Sequence, residues 1–147
     1  MRITYSMDIL APIERTFEFV CDHDKQKLWM DGLVETVYDT PFDGDNPIGT
    51  KFRQRIREAA HIAEYDGEIL DFRRPDLMTV SIGDGLFRME VCYSLARIDN
   101  GTRLDYSADM IIGSPYSSLM NRLLTLFTKR VLERQMRRLK EITERSI

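Results

Sequence analysis

Few residues in this chain combine a type and a position that could move a proton or grip a ligand. Glu58, Tyr65 and Tyr93 are the candidates for acid or base work, and Gln54 with the hydroxyls of Tyr65, Tyr93 and Tyr106 for orienting a bound molecule. A carboxyl held on an apolar face has its pKa raised and becomes useful near neutral pH. A glutamate near a strand end more often reaches solvent, and a buried tyrosine hydroxyl as readily finds a local partner. Asp71 does not complete a carboxylate pair with Glu58. The strand pairing expected below places Ala63 opposite Glu58 and Asp71 about 26 Å further along the strand. His23 and His61 show no metal-ligand spacing, so no metal is expected. No Ser/His/Asp or Cys/His order suggests a nucleophile relay. Gly83-Asp84-Gly85 reads as a hairpin turn rather than a phosphate loop, and no cofactor is implied.

Composition narrows the classes further. The 147 residues are 43% hydrophobic and 31% charged, which describes an ordinary globular chain and is read as a single domain, 1–147. That length buries roughly two thirds of the unfolded chain's surface. The net charge of −3 disfavours nonspecific nucleic-acid binding. No run approaches the roughly 20 apolar residues of a membrane span, and no basic-then-apolar secretion pattern opens the chain. Cys21 and Cys92 lack metal spacing, and a reduced cytosol is the expected compartment. Lys129 to Arg145 holds seven Lys/Arg against three Glu. Such a run suits a solvated helix end, where cations complement the dipole; the competing reading is contact with an anionic membrane or partner.

The elements that must position these residues follow from patterning. Arg2–Ile9 alternates, with Ile3, Tyr5, Met7 and Ile9 on one face, as a half-buried strand does. Pro12 and Glu14 suit the start of a helix carrying Ile13, Phe17 and Val20 or Cys21. The polar stretch Asp22–Lys27 breaks it, and Leu28-Trp29-Met30 is expected on a second short turn. Val34–Tyr38 reads as a brief strand and Asp39–Pro47 as a loop.

Hairpin signals then set a register. Asn100-Gly101 is a type I′ candidate and would pair Leu95 with Tyr106, Tyr93 with Ala108 and Val91 with Met110. Asp84-Gly85 would pair Ile82 with Phe87, Val80 with Met89 and Met78 with Val91. Arg74-Pro75 would place Ile69 opposite Val80. A hairpin centred between Ala60 and His61 would pair Arg57 with Glu64, Arg55 with Asp66 and Arg53 with Glu68, each pair contributing roughly 0.2–1 kcal/mol. Its other face would carry Phe52–Ile69 and Ile56–Tyr65 pairs, although Ala-His is a poor two-residue turn. The last element, Tyr116–Arg145, is one amphipathic helix about 45 Å long, with Ser114 as cap and Pro115 in its first turn. Its stripe of Met120, Leu123, Leu124, Phe127 and Val131 rotates into Leu132, Met136, Leu139 and Ile142.

The run Ile9-Leu10-Ala11-Pro12-Ile13-Glu14, with Phe17, Val20, Asp22 and Trp29 beyond it, resembles the START/Bet v 1-like helix-grip (SRPBCC) superfamily. Gly101-Thr102-Arg103 and the long final helix extend the likeness over essentially the whole chain, closest to the polyketide cyclase/dehydrase and lipid transport type. The resemblance implies an α+β fold: a seven-stranded curved antiparallel sheet gripping the C-terminal helix, with two short helices after the first strand. It also implies a cavity for apolar or aromatic ligands and supplies no catalytic set.

The expected lining is Trp29, Phe52, Gln54, Glu58, Tyr65 and Met78 from the first part of the chain. Phe87, Met89, Tyr93, Tyr106, Met120 and Leu124 complete it. Trp29 reads either as a core plug or as a wall near the mouth. Asp39–Pro47 and Gly113–Ser118 are the expected gates. Two functions compete: binding, with transport as its extension, of a hydrophobic small molecule, and a cyclase or dehydratase acting in the same cavity.

Overall fold

The computed structural model describes residues 2–84, 87–112 and 118–145, with the backbone alone for residues 87, 111, 112 and 118–127. β1 (Arg2–Ile9) leads into α1 (Ile13–Cys21) and α2 (His23–Gln26). β2 (Leu33–Tyr38), β3 (Lys51–Glu58), β4 (His61–Arg73), β5 (Leu77–Gly83), β6 (Phe87–Ile98) and β7 (Gly101–Ile112) follow, and α3 (Ser118–Arg145) comes last. The strands form one antiparallel seven-stranded sheet in the order β1-β7-β6-β5-β4-β3-β2. This is the α+β helix-grip arrangement expected above.

Local chemistry explains the turn from β1 into the helices. Pro12 caps α1 with extended backbone, and the Thr16 hydroxyl donates back to its carbonyl at 2.9 Å. Asp22 ends α1 and starts α2, its carboxylate accepting from the Asp24 and Lys25 amides at 2.9 and 3.1 Å. The second short helix therefore lies in the polar stretch itself, and Leu28-Trp29-Met30 forms the turn after it, as expected.

α3 runs unbroken through Thr128–Arg130. Its described C-terminal half buries Leu132, Met136 and Leu139 in one cluster with Ile3, Ile9, Phe17 and Leu104. Hydrogen bonds tie the helix to the β1 end: the Leu10 amide donates to Glu144 Oε2 at 2.8 Å, and Lys140 Nζ donates to the Asp8 carbonyl at 2.7 Å. Ser114 and Pro115 lie outside the described residues. No helix among the described residues is long and apolar enough to cross a membrane.

Three of the expected hairpins are displaced by two residues. Ile98 pairs with Gly101 around an Asp99-Asn100 loop, so Leu95 faces Leu104, Tyr93 faces Tyr106 and Val91 faces Ala108. Gly101 is required by close approach instead of turn geometry: a Cβ there would meet the Ile9 carbonyl oxygen at 2.1 Å. Glu58 pairs with His61 around Ala59-Ala60, with Ala59 at φ 51°. Arg55 then faces Glu64, Arg53 faces Asp66, Phe52 faces Gly67 and Ile56 faces Ala63. The arginines divide their ion pairs between neighbours. Arg55 reaches Glu35 on β2 at 3.0 Å, while Arg53 reaches Asp39 at 3.3 Å and Glu64 at 3.9 Å. On β5, Ile82 faces Met89, Val80 faces Val91 and Met78 faces Tyr93. The Ile69–Val80 pair stands as expected.

Candidate functional site

The inward residues of the sheet begin with a period of two. Phe52, Gln54 and Ile56 of β3 lie beside Ile69 of β4; Met78, Val80 and Ile82 of β5 come next. Met89, Val91 and Tyr93 of β6 and Tyr106 of β7 complete the strand wall of a recess of about 200 Å³. Two irregularities adjust this wall. β4 carries a bulge between Ile69 and Asp71, which turns Asp71 out to solvent and brings Phe72 onto the recess. Gly67 leaves room for the ring of Phe52, which a Cβ would meet at 2.4 Å. The opposite side is built from Cys21, Gln26, Met30 and Asp31, with Tyr38 and Phe42 from the β2 end and Gln135 from α3.

Six of the expected lining residues meet here: Phe52, Gln54, Met78, Met89, Tyr93 and Tyr106. Three lie elsewhere. Trp29 is fully buried, donates from Nε1 to the Phe19 carbonyl at 2.8 Å, and sets its edge against Tyr93 with ring centroids 6.4 Å apart. It plugs the core behind the recess wall. Glu58 is exposed at the end of β3 and accepts the hydrogen bond of the Tyr65 hydroxyl, so this pair sits beyond the lining. Burial and the Glu58 carboxylate both push the Tyr65 phenol well above the ordinary range. The side chains of Phe87, Met120 and Leu124 lie outside the described residues, as do residues 113–117 of the expected gate at Gly113–Ser118.

Sequence reasoning missed Tyr38, Phe42, Phe72 and the helical contributors. Tyr38 follows from the parity of β2, and Phe42 from being the one large apolar side chain of a polar loop. Phe72 had no signal, because a bulge leaves no mark in hydrophobic alternation. The Phe42 loop is held over this end of the wall by Arg74, whose Nε donates to the Gly44 carbonyl at 3.3 Å. The Arg74 guanidinium also lies 5.3 Å from the centroid of Phe72.

The polar groups of the wall differ in how they are satisfied. Gln26 donates to the Val20 carbonyl at 2.8 Å, and Gln54 makes a long 3.5 Å contact to the Thr36 hydroxyl. Asp31 is held by Arg134 at 2.8 Å and approached by Arg138 at 3.7 Å, which neutralises part of the basic run of α3. Every sealed side-chain N or O among the described residues has a hydrogen-bond partner. The hydroxyls of Tyr93 and Tyr106 have no hydrogen-bond partner among the described residues, and both residues line the recess. Burial pushes the Tyr93 phenol well above its ordinary value of 10.0 and the Tyr106 phenol up to about 12. Desolvation pushes the Cys21 thiol up as well, which keeps it un-ionised and a poor nucleophile. No group of three or more His, Cys, Asp or Glu among the described residues is placed to hold a metal ion.

Comparison with known proteins agrees with this geometry. The family model described as "Polyketide cyclase / dehydrase and lipid transport" matches residues 1–144. No curated protein matches the chain. Among solved structures, TTHA0849 from Thermus thermophilus is similar at 16% identity and a TM-score of 0.77, over 97% of each chain. SA2116 from Staphylococcus aureus is similar at 12% identity and a TM-score of 0.77, over 99% of this chain and 94% of that one. Ara h 8.0201 shares the fold at 9% identity and a TM-score of 0.70, over 97% of each chain. With a family match that runs almost end to end and a helix-grip sheet of the Bet v 1 type, the chain belongs to the polyketide cyclase/dehydrase and lipid transport family of the SRPBCC superfamily.

Proposed function

We propose that this chain, as one ligand-binding domain over 1–147, binds and transports a hydrophobic or aromatic small molecule in the recess between sheet and helices. The observation that carries the reading is the wall itself. Met78 and Val91 are buried, while Ile56, Val80, Ile82 and Met89 are apolar yet only half-buried: Val80 and Met89 pack against the core cluster, and all four also line the recess. Covering them with a ligand removes apolar surface from water, worth roughly 25 cal/mol per Å² before the costs of binding. Methionines suit such a lining because their side chains adapt to differently shaped partners. Two free thiols, Cys21 and Cys92, fit a reducing compartment, and we assign the cytosol.

A cyclase or dehydratase in the same recess needs a convergent acid/base pair. The single carboxylate of the wall among the described residues, Asp31, is engaged by two arginines, and Glu58 and Tyr65 bond each other beyond it. Binding is therefore the better-supported function. Native mass spectrometry of the purified protein followed by denaturing extraction tests it. The expected result is a copurifying apolar molecule, or saturable uptake of one hydrophobic fluorescent probe per chain. An empty protein that takes up no probe overturns the proposal.

A further inference from the structure

We infer that the recess selects apolar molecules that carry a hydrogen-bond acceptor, a carbonyl oxygen above all, and that Tyr93 and Tyr106 are the donors that read it. The inference rests on the binding role proposed above and adds the chemistry of the ligand.

Tyr93 and Tyr106 are directly paired across β6 and β7, and both line the recess. They are 4% and 8% exposed, so nearly all of each ring is packed; both line the recess, and Tyr106 also borders a hollow with Tyr5, Cys92 and Ser107. Their rings meet edge-on, 5.3 Å apart and inclined by 73°, and Trp29 braces Tyr93 from the far side. The phenols are thus held in place before any ligand arrives, which lowers the ordering cost of a hydrogen bond to them. Neither hydroxyl has a partner among the described residues. Desolvation keeps both phenols protonated throughout the neutral range, so each is able to donate.

A pure hydrocarbon filling this space would strip water from two donors and offer nothing in return. A carbonyl restores the bond. Size sets the scale. An engineered apolar cavity of about 150 Å³ holds benzene, so a recess of about 200 Å³ suits one or two fused rings.

Calorimetric titration with two near-isosteric probes, 2-acetylnaphthalene and 2-isopropylnaphthalene, tests the inference on wild type, Tyr93→Phe, Tyr106→Phe and the double variant. Each single change is expected to weaken the ketone about fivefold and to leave the hydrocarbon unchanged or tighter; the double variant loses more. The bound ketone's infrared carbonyl stretch, measured on wild type alone, is expected at lower frequency than in hexane, which keeps the test independent of how the variants fold. An unshifted stretch, or an unchanged ratio of ketone to hydrocarbon affinity in variants with native unfolding curves, overturns the inference and leaves the binding role standing. Wild type that takes the hydrocarbon and refuses the ketone does the same. Wild type that binds neither probe overturns the binding role and the inference together.

Discussion

The two ends of this molecule are built from one alternating pattern and are packed differently. Around β1, β7 and the C-terminal half of α3 the interior is solid: Ile9, Leu104, Met136 and Leu139 are 0% exposed. Backbone groups there are clamped from several elements, with the Thr102 hydroxyl donating to the Ala11 carbonyl at 2.8 Å and Glu144 receiving the Leu10 amide. Around the recess Ile56, Val80, Ile82 and Met89 are equally apolar and stop half-buried, although Phe52, Ile69 and Met78 beside them are buried. Hydrophobic side chains on an inner face thus do not by themselves close a core.

This contrast predicts a graded set of responses. The largest belongs to the solid end. Leu139→Ala removes side-chain volume where nothing can collapse into the gap, at a cost of about 2–5 kcal/mol in a urea unfolding curve. Met89→Ala, at the recess, deletes a side chain that is only half-buried against the core and is expected to cost less than half as much. Equal losses at the two positions would erase the distinction.

Filling the recess is the converse experiment. Val80→Phe adds volume where there is room for it, so stability is expected to stay within about 1 kcal/mol of wild type, while saturable probe uptake is lost. Retained uptake would move the binding site away from this wall.

The smallest effect is electrostatic and confined to alkali. Tyr38 and Tyr106 both have phenols raised from 10.0 to about 12. A group whose folded pKa is raised holds its proton longer in the native state, so its stabilisation is complete below pH 10 and is lost as pH rises toward 12. The unfolding midpoint should therefore be flat through neutrality from this source and fall between those values, with Tyr106→Phe flattening part of the descent. An unaltered descent in that variant would assign the loss to other groups.

Much of the wall was legible for a reason that also explains the errors. Three hairpins were placed two residues out of register, yet Phe52, Gln54, Met78, Met89, Tyr93 and Tyr106 still emerged on the correct face. Strand side chains alternate with period two, so an even slip preserves the face and an odd one reverses it. Odd shifts occur between Leu33 and Glu35 and before Asp71, and the one before Asp71 is where the reading of the wall failed, exchanging Asp71 for Phe72. Trp29 illustrates the other limit: its type suited a wall or a plug, and a hydrogen bond to Phe19 ten residues earlier decided for the plug.

By itself the sequence determined the order of elements, the half-buried first strand, the break at Asp22, the long final helix and the apolar face of each strand. All of these are written in local periodicity and capping chemistry. Tertiary structure alone decided the register of the hairpins, the reversal at the β4 bulge, the pairing of Asp31 with Arg134 and Arg138, and the two recess tyrosines left without a hydroxyl partner among the described residues. Those depend on which distant backbones approach one another, as the Ile9 carbonyl does Gly101, and alternation along one strand carries no record of what stands across from it.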